Sequence, residues 1–448
     1  MQTKLTNLWY KIRASYWFIP SLMLIVACCL SLALIYVDAV LDKTGWIDFV
    51  NTFYPNKPEG ARAILSTVAG SMITVAGVVF SITMVALTLA SSQYGPRLLV
   101  NFMRDRGNQL VLGTFISTFA YCLLVLRTIR SGEDTSFVPQ LAVTFALIMT
   151  IASIIVLIYF IHHASTSIQA SHVIATVNND LRNTLNRLFP EPIDYEELDK
   201  WSELRIKADI PLNFEEDAVE ITAPRSGYLQ AIDVNGLINI ATNIGVIVKL
   251  ELRPGNYVLE LGKLGSVCPR EKVDQELKNK LTDMFIIGKD RTYEQDPEFA
   301  FDQLVEVAIR ALSPGINDPI TAITCIDRIA SALSQLAQRK FPSPYLYNKN
   351  NKLCVISKPI TFSDITDTAL NQIRQYGRSS AAVTIHLLEV IEKIAPYIKR
   401  DEDRETLIRH ADMIMRGSEH GLPEQLDRKD VKERYQIAIQ ALSNKEVG

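Results

Sequence analysis

The chain has 448 residues, 48% of them hydrophobic and 21% charged, with a net charge of −3 and a mean hydropathy of +0.12. That hydropathy is out of keeping with an ordinary soluble protein, and the charge balance excludes a nucleic-acid binder, because phosphate recognition needs clustered Lys and Arg. The two parts of the chain differ: residues 1–162 hold 11 Lys/Arg against 7 Asp/Glu, and residues 163–448 hold 35 against 42.

Four apolar runs fill the first part, at 16–37, 63–96, 109–126 and 137–161. Each is near or above the roughly 20 residues that cross hydrocarbon at about 1.5 Å per residue. Ile25-Val26-Ala27-Cys28 matches a lipoprotein cleavage box. The run continues well past Cys28, as a span does and a cleaved signal does not. The second run carries a stripe at alternating steps of three and four: Thr67, Gly70, Thr74, Gly77, Ser81, Met84, Thr88 and Ser91. Such steps place these residues on one helix face. Two readings stand: small residues that let helices pack closely with hydroxyls bonding across, or hydroxyls that line a wet path around which copies gather. The absence of mid-span charges argues against a proton relay or a voltage sensor.

Gly95-Pro96 ends the second helix. The piece at 98–106 is expected to lie on the inner surface, with Arg97, Arg104 and Arg106 at the lipid headgroups. Simple anchoring is the plain reading of this piece, and gating or lipid sensing is the sharper one. Lys4, Lys11 and Arg13 share that side, which predicts both termini on the cytoplasmic face. His162-His163 closes the fourth run. An interfacial role is favoured over metal binding, since no Cys stands at ligand spacing.

A polar helix over 163–189 leads to a change of character at 203–270, where strands are expected at 220–224, 228–234, 246–252 and 257–267. Ser226-Gly227-Tyr228-Leu229, Arg253-Pro254-Gly255-Asn256 and Leu264-Gly265-Ser266-Val267 resemble the barrel-sandwich module of lipoyl and biotinyl domains. The hairpin expected near 234–239 lacks the Lys those domains modify, so the resemblance implies an adaptor without a swinging arm. Helices are expected at 274–287, 297–312, 319–339, 362–376, 379–394, 402–417 and 429–442, with a strand pair at 345–347 and 352–357. The predicted fold class is an α-helical membrane protein. Four transmembrane helices (1–162) and a connecting helix (163–200) lead to a cytosolic α+β region, with a small barrel-like β module (201–270) and a mostly helical domain (271–448).

Two polar segments stand out as a possible anion or ligand site. In Arg310-Ala311-Leu312-Ser313-Pro314-Gly315-Ile316-Asn317-Asp318-Pro319, Asp318 caps a helix with Pro at its first position. Free N–H groups there, with Arg310 or Arg291 nearby, suit an anion. In Gln372-Ile373-Arg374-Gln375-Tyr376-Gly377-Arg378, Arg374 and Arg378 suit a carboxylate or phosphate. A pair of capped turns is the plainer account of both. No Walker loop, Gly-x-Ser-x-Gly or His-Glu-x-x-His occurs, so no enzyme, cofactor or metal is expected. Six scattered cysteines suggest neither a zinc site nor a disulfide framework, and so a reduced cytosolic domain.

These two segments, with Gly70-Ser71-Met72-Ile73-Thr74-Val75-Ala76-Gly77 and Arg104-Asp105-Arg106-Gly107-Asn108-Gln109, resemble a bacterial family of predicted membrane proteins, domain of unknown function 2254. The resemblance implies a multi-pass protein of the bacterial inner membrane and brings no activity or substrate. Expected partners are the lipid bilayer, further copies of the chain and a small anion or ion. The functions that compete are an oligomeric channel or transport protein with a cytosolic vestibule or regulatory domain, and a non-conducting scaffold or sensor that binds a partner or an anionic ligand.

Overall fold

The computed structural model describes residues 16–42, 57–95, 105–131, 137–167, 169–192 and 210–444. The chain divides into two compact units, Met1–Val173 and Ile174–Gly448.

In the first unit, helices α1 (Phe18–Asp42), α2 (Pro58–Tyr94), α3 (Arg106–Leu126) and α4 (Gln140–Ser167) are all long and apolar enough to cross a membrane. They correspond to the four runs. Cys28 sits mid-helix in α1, in keeping with a span. α3 is the central helix and touches the other three; 56% of its apolar window is buried, against 17–22% for the others. A small residue permits one of these contacts. A Cβ on Gly113 would lie 2.6 Å from Met23 Sδ and 3.2 Å from the Pro20 Cα of α1, so side chains larger than hydrogen would force the helices apart. Leu65, Met72 and Val79 of α2 meet Phe115, Tyr121 and Cys122 of α3 and Ala142, Val143 and Ala146 of α4 in one core.

The helix expected to run unbroken from 163 to 189 is interrupted: α4 ends at Ser167 and α5 covers Ala170–Leu188. Ser165, Thr166 and Ser167 turn their hydroxyls back onto the carbonyls of Ile161, His162 and His163, a competition with the helical ladder that loosens helix ends. α5 buries Ile174, Val177, Leu181 and Leu185 on one stripe, and its Asn186 bonds Gln335 and Arg339.

The β region departs from expectation in three places. Its strands β1 (Val219–Thr222), β2 (Gly227–Ile232), β3 (Ile247–Leu250), β4 (Tyr257–Val258), β5 (Lys263–Cys268) and β6 (Phe285–Gly288), with β7 (Tyr345–Tyr347) and β8 (Leu353–Ile356), form two open sheets. One has the order β1-β5-β3-β8-β7 and the other β4-β2-β6, and no barrel closes among the described residues. β8 runs parallel to β3, so the later strand pair extends the sheet of the earlier module. The expected hairpin at 234–239 is helix α6 (Val234–Ile244): Asp233 caps it by accepting from the Gly236 N–H, and Gly245 at φ 74° ends it. The side chains of Leu237 and Ala241, one turn apart, are buried beneath it, a helical period hidden inside a stretch that looked like turn residues. The expected strand 257–267 is divided between β4 and β5, where Leu261 takes φ 64°.

The expected helix 274–287 stops early. Helix α7 (Gln275–Thr282) is capped by Asp274 and buries Leu277 and Leu281. Phe285 and Ile287 then alternate inward as β6, antiparallel to β2. The remaining helices, α8 (Pro297–Ala311), α9 (Pro319–Ala337), α10 (Phe362–Gly377), α11 (Ala381–Ile394), α12 (Asp401–Gly421) and α13 (Gln425–Ser443), fall within a few residues of their predicted bounds. Caps set most starts: Asp296, Asp318 and Ser380 each accept from a backbone N–H of the first turn, and Thr361 with Asp364 forms a reciprocal capping box, each cap being worth about 1 kcal/mol.

Candidate functional site

The stripe on α2 does not face its own bundle. Thr67, Gly70, Thr74, Gly77, Ser81, Met84 and Thr88 are exposed and Ser91 is half-buried. The buried face of the same helix runs through Ala61, Leu65, Val68, Met72, Ala76 and Val79. Among the described residues, a Cβ on Gly70 or Gly77 would meet nothing within 4 Å. Close packing among the described residues therefore does not account for the glycines. Three of the five hydroxyls bond along their own helix: Thr74 donates to the Gly70 carbonyl (2.8 Å), Ser81 to Gly77 (2.9 Å) and Thr88 to Met84 (2.9 Å). Each of these three hydroxyl protons is thus satisfied, while the oxygen keeps acceptor capacity. The exposed apolar side chains of Ile73, Val78, Ile82 and Val85 lie on the same outward side of the helix.

Charged and polar side chains pin the bundle, and of these sequence reasoning singled out His163 alone. Asp38 is fully buried and accepts from the Leu141 and Ala142 N–H groups at 3.0 Å each. It caps the start of α4 from α1, so its charge meets the positive end of a helix dipole. Tyr121 of α3 donates to the Ala142 carbonyl at 3.0 Å, and Thr118 pairs with Ser153 at 3.2 Å. At the other end Asp105, which caps α3 by accepting from Gly107, also meets His163 Nε2 at 2.5 Å. His163 stacks on Tyr159, with ring centroids 5.3 Å apart. This carboxylate contact ties α3 to α4. No group of His, Cys, Asp and Glu able to hold a metal ion occurs among the described residues. Arg106 is exposed at the first position of α3; Arg97 and Arg104 lie outside the described residues.

In the second unit, the predicted anion residues are only partly brought together. A Cβ on Gly377 would lie 3.5 Å from Leu312 Cδ1, so the turn after α8 and the end of α10 adjoin. Arg310 faces Glu306 at 3.6 Å. Asn317 takes φ 51°, and its N–H bonds the Ser313 carbonyl. Asp318 accepts from both the hydroxyl (2.6 Å) and the N–H (3.1 Å) of Thr321. Those bonds hold its carboxyl below the usual range. Arg378 is exposed just after α10. The Nε of Arg374 is buried without a partner among the described residues. Burial, and then the neighbouring Arg416, push its guanidinium below the usual range. Arg291 is committed elsewhere, bidentate to Asp296 at 2.7 and 3.0 Å and bonded to Asp302 at 2.6 Å.

A second ion network escaped the sequence reading. Arg253, in the Pro-Gly turn between β3 and β4, reaches both oxygens of Glu298 at 3.1 Å and Asp364 at 3.0 Å. Thr368 also donates to Glu298. One guanidinium thereby joins a β turn to the first turns of α8 and α10. Burial raises the Glu298 pKa despite Arg253 beside it.

Comparison with known proteins agrees with the character of this bundle. A family model described as predicted membrane protein (DUF2254) matches residues 13–393. An uncharacterized protein of Mycobacterium bovis is 32% identical over 380 residues, which cover 84% of this chain and 71% of the relative. Uncharacterized proteins from the H37Rv and CDC 1551 strains of Mycobacterium tuberculosis match with the same identity and coverage. No solved structure matches the chain.

Proposed function

Because the chain belongs to this family of predicted membrane proteins, we propose that it is an oligomeric channel or transport protein of a bacterial inner membrane. In this reading α2 lines or borders the path, both termini are cytoplasmic, and the second unit serves as a cytosolic vestibule or regulatory domain. The observation that supports the reading is the outward aim of the α2 stripe, whose seven exposed small, hydroxyl or Met positions contrast with the apolar face packed on α3. A surface built only to meet lipid gains more from Leu and Ile than from Gly, Ser and Thr. A surface that meets another helix or water gains from small groups and hydroxyl oxygens. Four spans are too few to enclose a path alone, so several copies are required, arranged in a closed ring.

Two measurements test this. Purified full chain in detergent should run as a closed oligomer by native mass spectrometry. Reconstituted in liposomes, it should release potassium or chloride, and Thr74→Leu or Ser81→Leu should abolish that release while leaving the oligomer intact. A monomer, or a wild type with no flux for either ion, removes the channel reading and leaves a non-conducting scaffold or sensor.

A further inference from the structure

Beside β1 in the second unit lies a cleft of about 640 Å³, lined on one wall by residues 218–224 and on the other by Arg270, Gln275, Lys278, Asn279 and Thr282, with Leu261 at its rim. β1 is an edge strand, with β5 on one side only. Which of its backbone groups face the cleft follows from the bonds on the paired side. The Asp217 carbonyl accepts from the Arg270 N–H, the Ala223 N–H donates to Gly262, and the Ala223 carbonyl accepts from Leu261, all at 2.9 Å. The odd-numbered residues therefore turn their amides toward β5. In an extended strand the even-numbered residues turn theirs the other way. An independent contact agrees: the Ala218 carbonyl is reached from outside by the Arg270 guanidinium at 3.3 Å. The N–H and C=O groups of Glu220 and Thr222 point into the cleft, and no backbone partner meets them among the described residues.

α7 packs on the same sheet through Leu277 and Leu281, which share a core with Ile221. Its opposite, polar side makes the second wall and runs along the free edge of β1. Two cations, Arg270 and Lys278, line the cleft. The acid that lines it, Glu220, already faces Lys263 at 3.5 Å. Leu261 is 75% exposed at the rim. Unpaired amides at an edge strand are what β-strand addition pairs with, and side-chain contacts beside the edge set what is added; here those contacts are two cations and an exposed Leu261.

We propose that this cleft binds an extended acidic peptide segment of a partner protein, which adds to β1 as a further strand of the five-stranded sheet. The backbone of the segment pairs with the amides of Glu220 and Thr222. A carboxylate of the segment meets Lys278 and Arg270, and an apolar side chain covers Leu261.

The test uses the detergent-solubilised full chain and a phage-displayed library of random peptides, followed by fluorescence anisotropy with a fluorescein-labelled synthetic copy of the enriched sequence. Peptides rich in Glu or Asp and in β-branched residues are expected. Lys278→Glu should weaken their binding roughly tenfold, an effect of about 1.4 kcal/mol, and exchanging the peptide's acids for Lys should restore binding to that variant. Thr222→Pro removes a cleft-facing donor while leaving the bonds to β5 in place, so it should abolish binding without shifting thermal unfolding. The charge-exchange pair decides the matter should the proline variant fail to fold. Enrichment of no acidic sequence, binding indifferent to Lys278→Glu, or lack of rescue by the exchanged peptide overturns the proposal. So does competition for the enriched peptide by a second copy of the chain alone, which would make the edge a self-association surface.

Discussion

Acid should weaken the second unit through a single side chain. His410, on α12, is fully buried, and its Nε2 lies 3.0 Å from Asp367 Oδ1. Burial, then the adjacent Arg409, push its pKa from 6.5 down to about 4. The unfolded chain takes up a proton at this residue as the pH falls below 6.5, and the folded chain does not until about 4. Stability is therefore fully present above pH 6.5 and is lost as the pH falls toward 4. At 1.36 kcal/mol per pH unit the loss is about 3 kcal/mol, or roughly 6 to 12 °C in Tm for a unit of this size. Asp367 titrates below this window, since its partners hold its carboxyl low. Glu298 and Asp403, raised by burial, act in the opposite direction. The comparison that isolates His410 is therefore between wild type and His410→Gln, which keeps a donor for Asp367. Thermal unfolding of the detergent-solubilised chain, followed by near-UV circular dichroism from about pH 7 to about pH 4.5, should show the wild type losing several degrees more than the variant. Equal losses would refute the reasoning.

Two further substitutions probe the pins described above. Asp38→Ala leaves the Leu141 and Ala142 amides without their acceptor. At about 1 to 3 kcal/mol for each buried unsatisfied group, the first unit should unfold at markedly lower sodium dodecyl sulfate, read from far-UV circular dichroism, whereas Asp38→Asn should recover part of the loss. Arg253→Ala strands Glu298 and Asp364 and should cost about 3 kcal/mol, measured by urea unfolding. Removing the opposing charges as well, by Glu298→Gln and Asp364→Asn, should return much of it.

Legibility followed the period of the pattern. The four spans were plain because each is a long apolar run, and the last helices were plain because an apolar period of 3.6 coincides with capping residues such as Asp296 and Asp318. Short elements were ambiguous. The eleven residues of α6 and the four of β6 are decided by what they pack against, and a local reading does not contain that information. Pairing of β8 with β3 joins residues far apart in the chain. The stripe on α2 was visible as spacing, but its outward aim depends on which face α3 covers. Asp38 was hidden for another reason: it lies just past a charge-free run and so looks like a loop charge, until α4 arrives to be capped.

Because Thr74, Ser81 and Thr88 close their hydrogen bonds on their own helix, making the protein can be divided in time. At these three positions a newly inserted chain carries no dangling hydroxyl proton into hydrocarbon, so these side chains settle in the bilayer without a partner helix. In the proposed oligomer, meeting a neighbour would add contacts along Gly70 and Gly77 without rewriting those three bonds. Under the proposed assembly, association is a late, reversible event governed by protein density and bilayer thickness, separate from the folding of the helix.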